Sequence, residues 1–364
     1  MAHEDAEVRE AAMSTLLTTA RLRGQHELLS HTYAPPAAGG LQRSIYTAAD
    51  SSTTAARLVR CEGGPSTNDH SVNEVYDAVG ATYDLFRTVF QRDSLDGKGL
   101  RLDAVVHFGQ RFNNAFWNGS RLIVGDGDGK ALMGFTRSVD VIAHELTHGV
   151  TDFTSNLEYH GQSGALNESM ADVFASLVKQ HTLGQRAGDA DWLIGAGVLG
   201  PLVPGVALRS LEAPGTAYVG DDQPSNMSGY VETPDNDQGD WGGVHRNAGI
   251  PNHAFYLLAT RLGGNAWDDA GQIWYDTLLA LRSNADFKAC AAMTYYMAGR
   301  RFGVNSRQQQ EVGSAWDDVG VSVAPTIVPA GVAATAPSVA LLAYRLKAVV
   351  TQIGQATDLA SARA

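Results

Sequence analysis

Two histidines four residues apart, His144 and His148 in V-I-A-H-E-L-T-H-G-V (141–150), carry the strongest chemical signal in this chain. On a helix of 3.6 residues per turn, side chains at i and i+4 leave from one face, one turn apart. Two neutral imidazoles so placed can hold a zinc ion about 2.0–2.1 Å from each ring nitrogen. Glu145 follows the first histidine, within reach of a water on that ion. Val141, Ile142, Leu146 and Val150 supply an apolar stripe that would bury the helix and hold the histidines rigidly. The competing reading is a buried helix whose imidazoles are satisfied by carbonyls.

A third ligand separates the two readings. Twenty residues beyond His148, N-E-S-M-A-D-V-F-A-S-L-V begins a second helical pattern with Met170, Val173, Phe174, Leu177 and Val178 apolar. Glu168 and Asp172 are again four apart on one face. Two carboxylates turned toward a core are costly to bury unless they meet a metal or a histidine. With Glu168 as third ligand, the fourth tetrahedral corner stays open, as in catalytic rather than structural zinc sites. Asp172 then accepts the N–H of a ligand histidine and fixes its tautomer.

These helices need a scaffold, and 364 residues suffice for two domains or one lobed unit. Lys and Arg total 27 against 39 Asp and Glu, a net charge of −12 that disfavours nucleic acid and anionic membranes. No apolar run approaches the roughly 18 residues of a membrane span. Cys61 and Cys290 form no disulfide framework, have no partner at finger spacing, and are expected to be ordinary buried thiols. The acidic opening M-A-H-E-D-A-E is unlike a secretory n-region, so the expectation is a cytoplasmic protein, with export by a non-classical route as the alternative.

Along the chain, Val8, Ala12, Leu16, Leu17 and Ala20 trace an amphipathic helix, and A-P-P-A-A-G-G (34–40) is a flexible joint. Short β-like runs follow at 45–46 and 58–59. Helical spacing covers Val72 to Phe90, a strand is expected at Ala104–Phe108, and 113–117 and 121–124 form antiparallel strands joined at Asn118-Gly119-Ser120. Gly125-Asp126-Gly127-Asp128-Gly129 lacks the distal Glu of an EF-hand and reads as a glycine-rich turn. Helices are expected at Pro251–Leu262, Asn265–Leu281, Phe287–Phe302 and Ser306–Val319. A strand-containing lobe thus precedes a mostly helical one, with the zinc helix near the junction, where clefts form.

The motifs N-N-A-F-W-N-G (113–119), G-D-G-D-G (125–129), H-E-L-T-H-G-V-T (144–151), S-G-A-L-N-E-S-M-A-D (163–172), A-L-R-S (207–210) and G-G-V-H-R-N-A-G-I-P-N (242–252) come in that order. On these the chain resembles the thermolysin-like zinc metallopeptidases, most of all their protealysin-type branch, from about Arg43 to Gly320. The resemblance implies a two-lobed α+β fold divided as 1–43 propeptide-like, 44–155 N-terminal catalytic lobe, 156–320 helical lobe and 321–364 linker and short helix. It implies Glu145 as general base on a zinc-bound water, and Tyr159 and His245 as donors to the oxyanion, with Asp240 orienting His245. Asn167 joins Asp172 behind the ligands. Asn114, Ala115 and Arg209 would bind the substrate backbone. Phe135, Val141, Ile194 and Leu208 would line an apolar pocket, implying cleavage on the amino side of bulky hydrophobic residues.

The chain also departs from the pattern. Larger relatives hold two calcium ions through clustered carboxylates; Asp140 and Asp191 match two of those positions, but Lys179, Leu193 and Ala196 replace three others. Calcium takes six to eight oxygens, so the double site is expected to be lost, with the Lys179 ammonium standing between Asp140 and Asp191 instead. Residues 1–43 are expected to act as an intramolecular inhibitor removed by autocleavage within 34–44, although the branch's proline-rich opening survives only as Tyr33-Ala34-Pro35-Pro36. Beyond an Ala/Pro/Val-rich linker, Val339, Leu342, Leu346, Val349 and Ile353 suggest a short helix. Two alternatives stand beside the endopeptidase: a silent peptide-binding member of the fold, and an aminopeptidase, for which no G-x-M-E-N stretch precedes the zinc helix.

Overall fold

A computed structural model describes residues 40–52 and 56–323, with residues 7, 8, 10–13 and 15 as helix near the N-terminus. All belong to one compact unit, Met1–Ala324. The expected helix at 338–353 and most of the 34–44 joint lie outside the described residues.

The first lobe is a five-stranded sheet in the order β2-β1-β3-β5-β4. Its strands are β1 (Arg43–Thr47), β2 (Arg57–Cys61), β3 (Leu102–Val106), β4 (Ala115–Trp117) and β5 (Leu122–Val124). β1, β3 and β5 run parallel, while β2 and β4 are antiparallel edges. The two-residue period of a strand splits the side chains between two apolar layers. Ile45, Ala104, Val106, Leu122 and Val124 face the main core, and Val105, Phe116 and Ile123 join Phe108 and Phe112 on the other side. Asn118 builds the β4–β5 turn by accepting the N–H groups of Ser120 and Arg121.

Helix α1 (His70–Thr88) starts at Asp69, whose carboxylate accepts the Val72 N–H at 3.3 Å. Val72, Val75, Val79, Tyr83 and Phe86 give it the i, i+3, i+4, i+7 face that packs on the sheet. Helix α2 (Val139–Asp152) carries the histidine pair. Helix α3 (Gly161–Leu183) is buried from Ser163 through Gln180 and runs through the middle of the molecule. Against it pack α4 (Asp240–Asn247), α5 (Gly249–Leu262), α6 (Asp269–Leu278) and α7 (Phe287–Phe302), and α8 (Arg307–Asp318) packs on α5 and α7. A cluster of Phe86, Phe90, Phe174 and Tyr275 joins α1, α3 and α6, with Phe90 and Tyr275 stacked at 4.7 Å.

Two expectations need correction. Helix α6 is ten residues long and starts at Asp269, not Asn265, because the left-handed pair Gly263-Gly264 turns the chain and the Asn265 amide bonds Asp268 ahead of the first turn. Cys61 is not buried: it ends the edge strand β2 and is exposed, whereas Cys290 is buried in α7. The G-D-G-D-G stretch is a turn, as expected: Asp128 Oδ1 accepts three successive N–H groups, from Lys130, Ala131 and Leu132.

Candidate active site

His144 and His148 leave α2 on one face, and Glu168 reaches them from α3. His144 Nε2 lies 3.1 Å from His148 Nε2 and 3.3 Å from Glu168 Oε2, and His148 Nε2 lies 3.6 Å from Glu168 Oε1. Ligand atoms at about 2.05 Å on the corners of a tetrahedron are about 3.3 Å apart, so the three groups are spaced to grip one zinc ion. Their second atoms fix the tautomers. His144 Nδ1 meets Asp172 Oδ1 at 2.8 Å, and His148 Nδ1 meets Asn167 Oδ1 at 2.9 Å. Because both partners accept, each Nδ1 carries a proton, and the two Nε2 atoms face each other. Positive charge between them, a metal ion or a proton, relieves the repulsion of their lone pairs.

The electrostatics agree. Burial alone would lower His144, but the hydrogen bond and charge of Asp172, then of Glu168, raise it to about 10. Burial opposes ionisation of Glu168, yet His245, His148 and His144 together hold it well below the ordinary carboxylate range. Asp172 is likewise buried and held low, first by Arg209 and then by His144. Arg209 engages it through Nε at 2.8 Å and Nη2 at 2.7 Å, and the Asn252 amide donates to its Oδ2 at 2.9 Å. Arg209 Nη1 makes no hydrogen bond among the described residues.

Glu145 is half-buried beside the cluster. Burial is the main cause that raises its pKa, against the opposing charges of the two histidines. The Trp117 N–H, on edge strand β4, donates to its Oε2 at 3.2 Å. On the opposite side the Tyr159 hydroxyl donates to Glu168 Oε1 and lies 3.1 Å from His245 Nε2, itself 3.4 Å from the same oxygen. Asp240 Oδ1 accepts from His245 Nδ1 at 2.5 Å and Oδ2 from the His245 N–H at 2.9 Å.

Two glycines permit this convergence. A Cβ on Gly164 would stand 2.3 Å from Val244 Cγ1, and one on Gly242 would stand 2.8 Å from the Gly161 nitrogen. Glycine at both positions lets the segment carrying His245 close onto α3.

Phe135, Val141 and Ile194 are buried in the main core with half-buried Leu208 packed against it, and the Leu208 N–H donates to the Ile194 carbonyl at 2.9 Å. Asn114 and Ala115 sit at the start of β4, where Asn114 Oδ1 accepts the Ala115 N–H. Sequence reasoning did not find the Trp117 N–H, the Asn252 amide, the second role of Arg209 or Gln223, whose amide bonds the His245 carbonyl at 2.6 Å. Trp117, Arg209 and Asn252 lie inside the motifs that carry the resemblance, whereas Gln223 carries no sequence signal.

The Lys179 ammonium lies 3.1 Å from Asp140 Oδ2 and 2.7 Å from Asp191 Oδ1, and also donates to the Leu193 carbonyl. Near the N-terminus, Val8, Ala11 and Thr15 form a buried i, i+3, i+7 stripe. Thr15 Oγ1 accepts the Asn113 N–H at 3.0 Å, beside edge strand β4. Glu7 meets Lys130 at 2.8 Å and Glu10 meets Arg111 at 3.3 Å.

Comparison with known proteins gives a consistent picture. The family description "Thermolysin metallopeptidase, catalytic domain" matches residues 41–152, and "Thermolysin metallopeptidase, alpha-helical domain" matches 155–321. An extracellular metalloprotease of Pectobacterium carotovorum subsp. carotovorum is 48% identical over 87% of this chain and 92% of its own. Protease PrtS of Photorhabdus sp. (strain Az29) is 45% identical over 78% of this chain and 77% of its own. The solved structure of the protealysin precursor from Serratia proteamaculans superposes with a TM-score of 0.76 at 46% identity, covering 84% of this chain and 98% of that one.

Proposed function

This chain belongs to the thermolysin-like metallopeptidases, in their protealysin-type branch, and on that premise we propose that it is a neutral endopeptidase cleaving on the amino side of bulky hydrophobic residues. The observation that carries this reading is the near-tetrahedral spacing of His144 Nε2, His148 Nε2 and Glu168, with Glu145 beside them. Zinc held by these three residues supplies a Lewis acid that polarises the scissile carbonyl and lowers the pKa of a water toward ~7.

The chain's own residues do the rest. Glu145 takes a proton from the attacking water and returns it to the leaving amine; its burial keeps the carboxyl basic enough for both steps. Tyr159 and His245 donate to the oxyanion as it forms, with Asp240 holding the imidazole. Asp172 and Asn167 keep the ligand histidines in one tautomer. Arg209 and the edge at Asn114–Ala115 align the substrate backbone. Phe135, Val141, Ile194 and Leu208 receive the side chain after the cleaved bond. Burying a Leu or Phe there is worth about 2–3 kcal/mol, roughly 30- to 150-fold in kcat/KM over Ala.

We infer further that the N-terminal segment is an intramolecular inhibitor. The Val8, Ala11, Thr15 stripe supports this, since it lies against the rim of the β4 edge that substrate would use. Lys179 acts as an internal counter-ion in place of calcium.

The test is metal analysis together with cleavage of amine-blocked peptides carrying Leu, Phe or Ala at the preferred position. One zinc per chain, loss of cleavage in 1,10-phenanthroline and recovery on adding zinc are expected. Zinc without cleavage would favour the silent reading, and cleavage restricted to free-amine peptides an aminopeptidase.

A further inference from the structure

His245 is delivered by an unusual stretch of backbone. Asp240, Trp241, Gly242 and Gly243 lie consecutively in the left-handed region, at φ of 52°, 50°, 83° and 78°. For the two non-glycine residues this is a strained conformation, which persists only where the surroundings over-determine it. From one side the restraint is Asp240, whose carboxylate accepts the Nδ1–H and N–H of His245 and the N–H of Arg246.

The other side is held by the segment 221–224. Gln223 Nε2 donates to the His245 carbonyl at 2.6 Å. Asp222 pairs with Arg246 at 3.2 Å, and its carbonyl accepts Arg246 Nε. Asp221 braces the segment, one carboxylate oxygen accepting the Gln223 N–H at 3.2 Å and the other the Ala217 N–H at 3.0 Å. Gln223 and Pro224 press on Gly249 at the start of α5, where a Cβ would stand 2.6 Å from the Pro224 carbonyl oxygen.

Gln223 is only 8% exposed, and its Oε1 is buried without a hydrogen-bond partner. A carbonyl left so carries a desolvation penalty, and a residue serving only to fill space would do better as methionine. What glutamine adds here is its N–H. We propose that Gln223 is a positioning residue for the reaction: it holds the His245 main chain so that the imidazole meets the developing oxyanion. The inference rests on His245 acting as an oxyanion donor in the function proposed above.

The test is Gln223→Met, which keeps the volume and removes the donor. In the zinc-loaded enzyme kcat falls about 10-fold, part of what loss of a whole oxyanion donor would cause, while KM stays within about twofold. Affinity for a phosphonamidate peptide, whose tetrahedral oxygen mimics the oxyanion, falls by a similar factor in calorimetry. In a His245→Ala background the same change has no further effect on kcat, because the group it positions is gone. A Gln223→Met enzyme with unchanged kcat, or one whose full loss persists in the His245→Ala background, overturns the proposal. Should Gln223→Met not fold, Gln223→Asn, with its donor on a shorter arm, is put through the same cycle and judged by the same two outcomes. Failure of the wild-type enzyme to cleave any blocked peptide would instead refute the endopeptidase reading.

Discussion

Replacing Lys179 by methionine leaves the Asp140 carboxylate in the core with no cation beside it. Asp140 is fully buried, and its Oδ1 retains the Ser138 hydroxyl and the Gly195 N–H at 3.1 Å. Its Oδ2 faces the ammonium at 3.1 Å. Asp191 is half-exposed and loses little, so nearly all the damage falls on Asp140. Removing one partner of a buried ion pair costs about 3–5 kcal/mol. A body of roughly 300 residues unfolds with an entropy of about 0.6 kcal/mol/K, so the melting temperature should drop by about 5–8 °C in scanning calorimetry. EGTA should leave the wild-type melting temperature unchanged. Lys179→Glu should convert the position into a calcium site of three carboxylates and the Leu193 carbonyl, and so make stability rise with added calcium. A wild-type protein that loses many degrees in EGTA, or a Lys179→Met protein that melts within a degree of wild type, would refute the counter-ion role.

Glu145→Gln should keep its zinc and lose cleavage of blocked peptides by at least about 10³-fold, measured by zinc content and product release. An uncleavable Glu145→Ala protein should also retain its N-terminal segment in intact-mass analysis; loss of that segment would argue against self-processing. The Glu7–Lys130 and Glu10–Arg111 pairs are exposed and worth together about 1 kcal/mol, so Glu7→Gln with Glu10→Gln should raise the activity of the unprocessed chain about fivefold, and 0.5 M salt should mimic it. His107, bonded at 2.7 Å to Asp126 and 3.0 Å to Asp69, is raised to about 9, chiefly by Asp126 against burial and then by Asp69. A raised pKa stabilises fully below the ordinary value near 6.5 and is lost as pH climbs through about 9. Both carboxylates are more than a third exposed, so this amounts to about 1 kcal/mol. Melting temperature between pH 7 and 10 should therefore fall about 2 °C more in wild type than in His107→Gln.

The metal ligands were legible in the sequence because helix geometry turns a spacing of four into a shared face, once in α2 and again in α3. Phe287–Phe302 was read to the residue, since Asp286 caps its start and Gly303 ends it. Lys179 was legible as a charge among expected carboxylates. The contacts of Gln223 and Arg209 were not. Each joins residues far apart in the chain, 22 and 37 positions, through a side chain with no periodic signature. Cys61 was misjudged because burial of a short strand depends on whether a neighbour covers it, and β2 has a neighbour on one side only.

That exposed thiol has a practical consequence. The chain holds two cysteines, and the other is sealed inside α7, where burial pushes its thiol far above the ordinary range. A maleimide dye added to the native protein should therefore attach at a single position on the strand-bearing half, remote from the chemistry. Fluorescence studies of this molecule in solution can begin without engineering a handle.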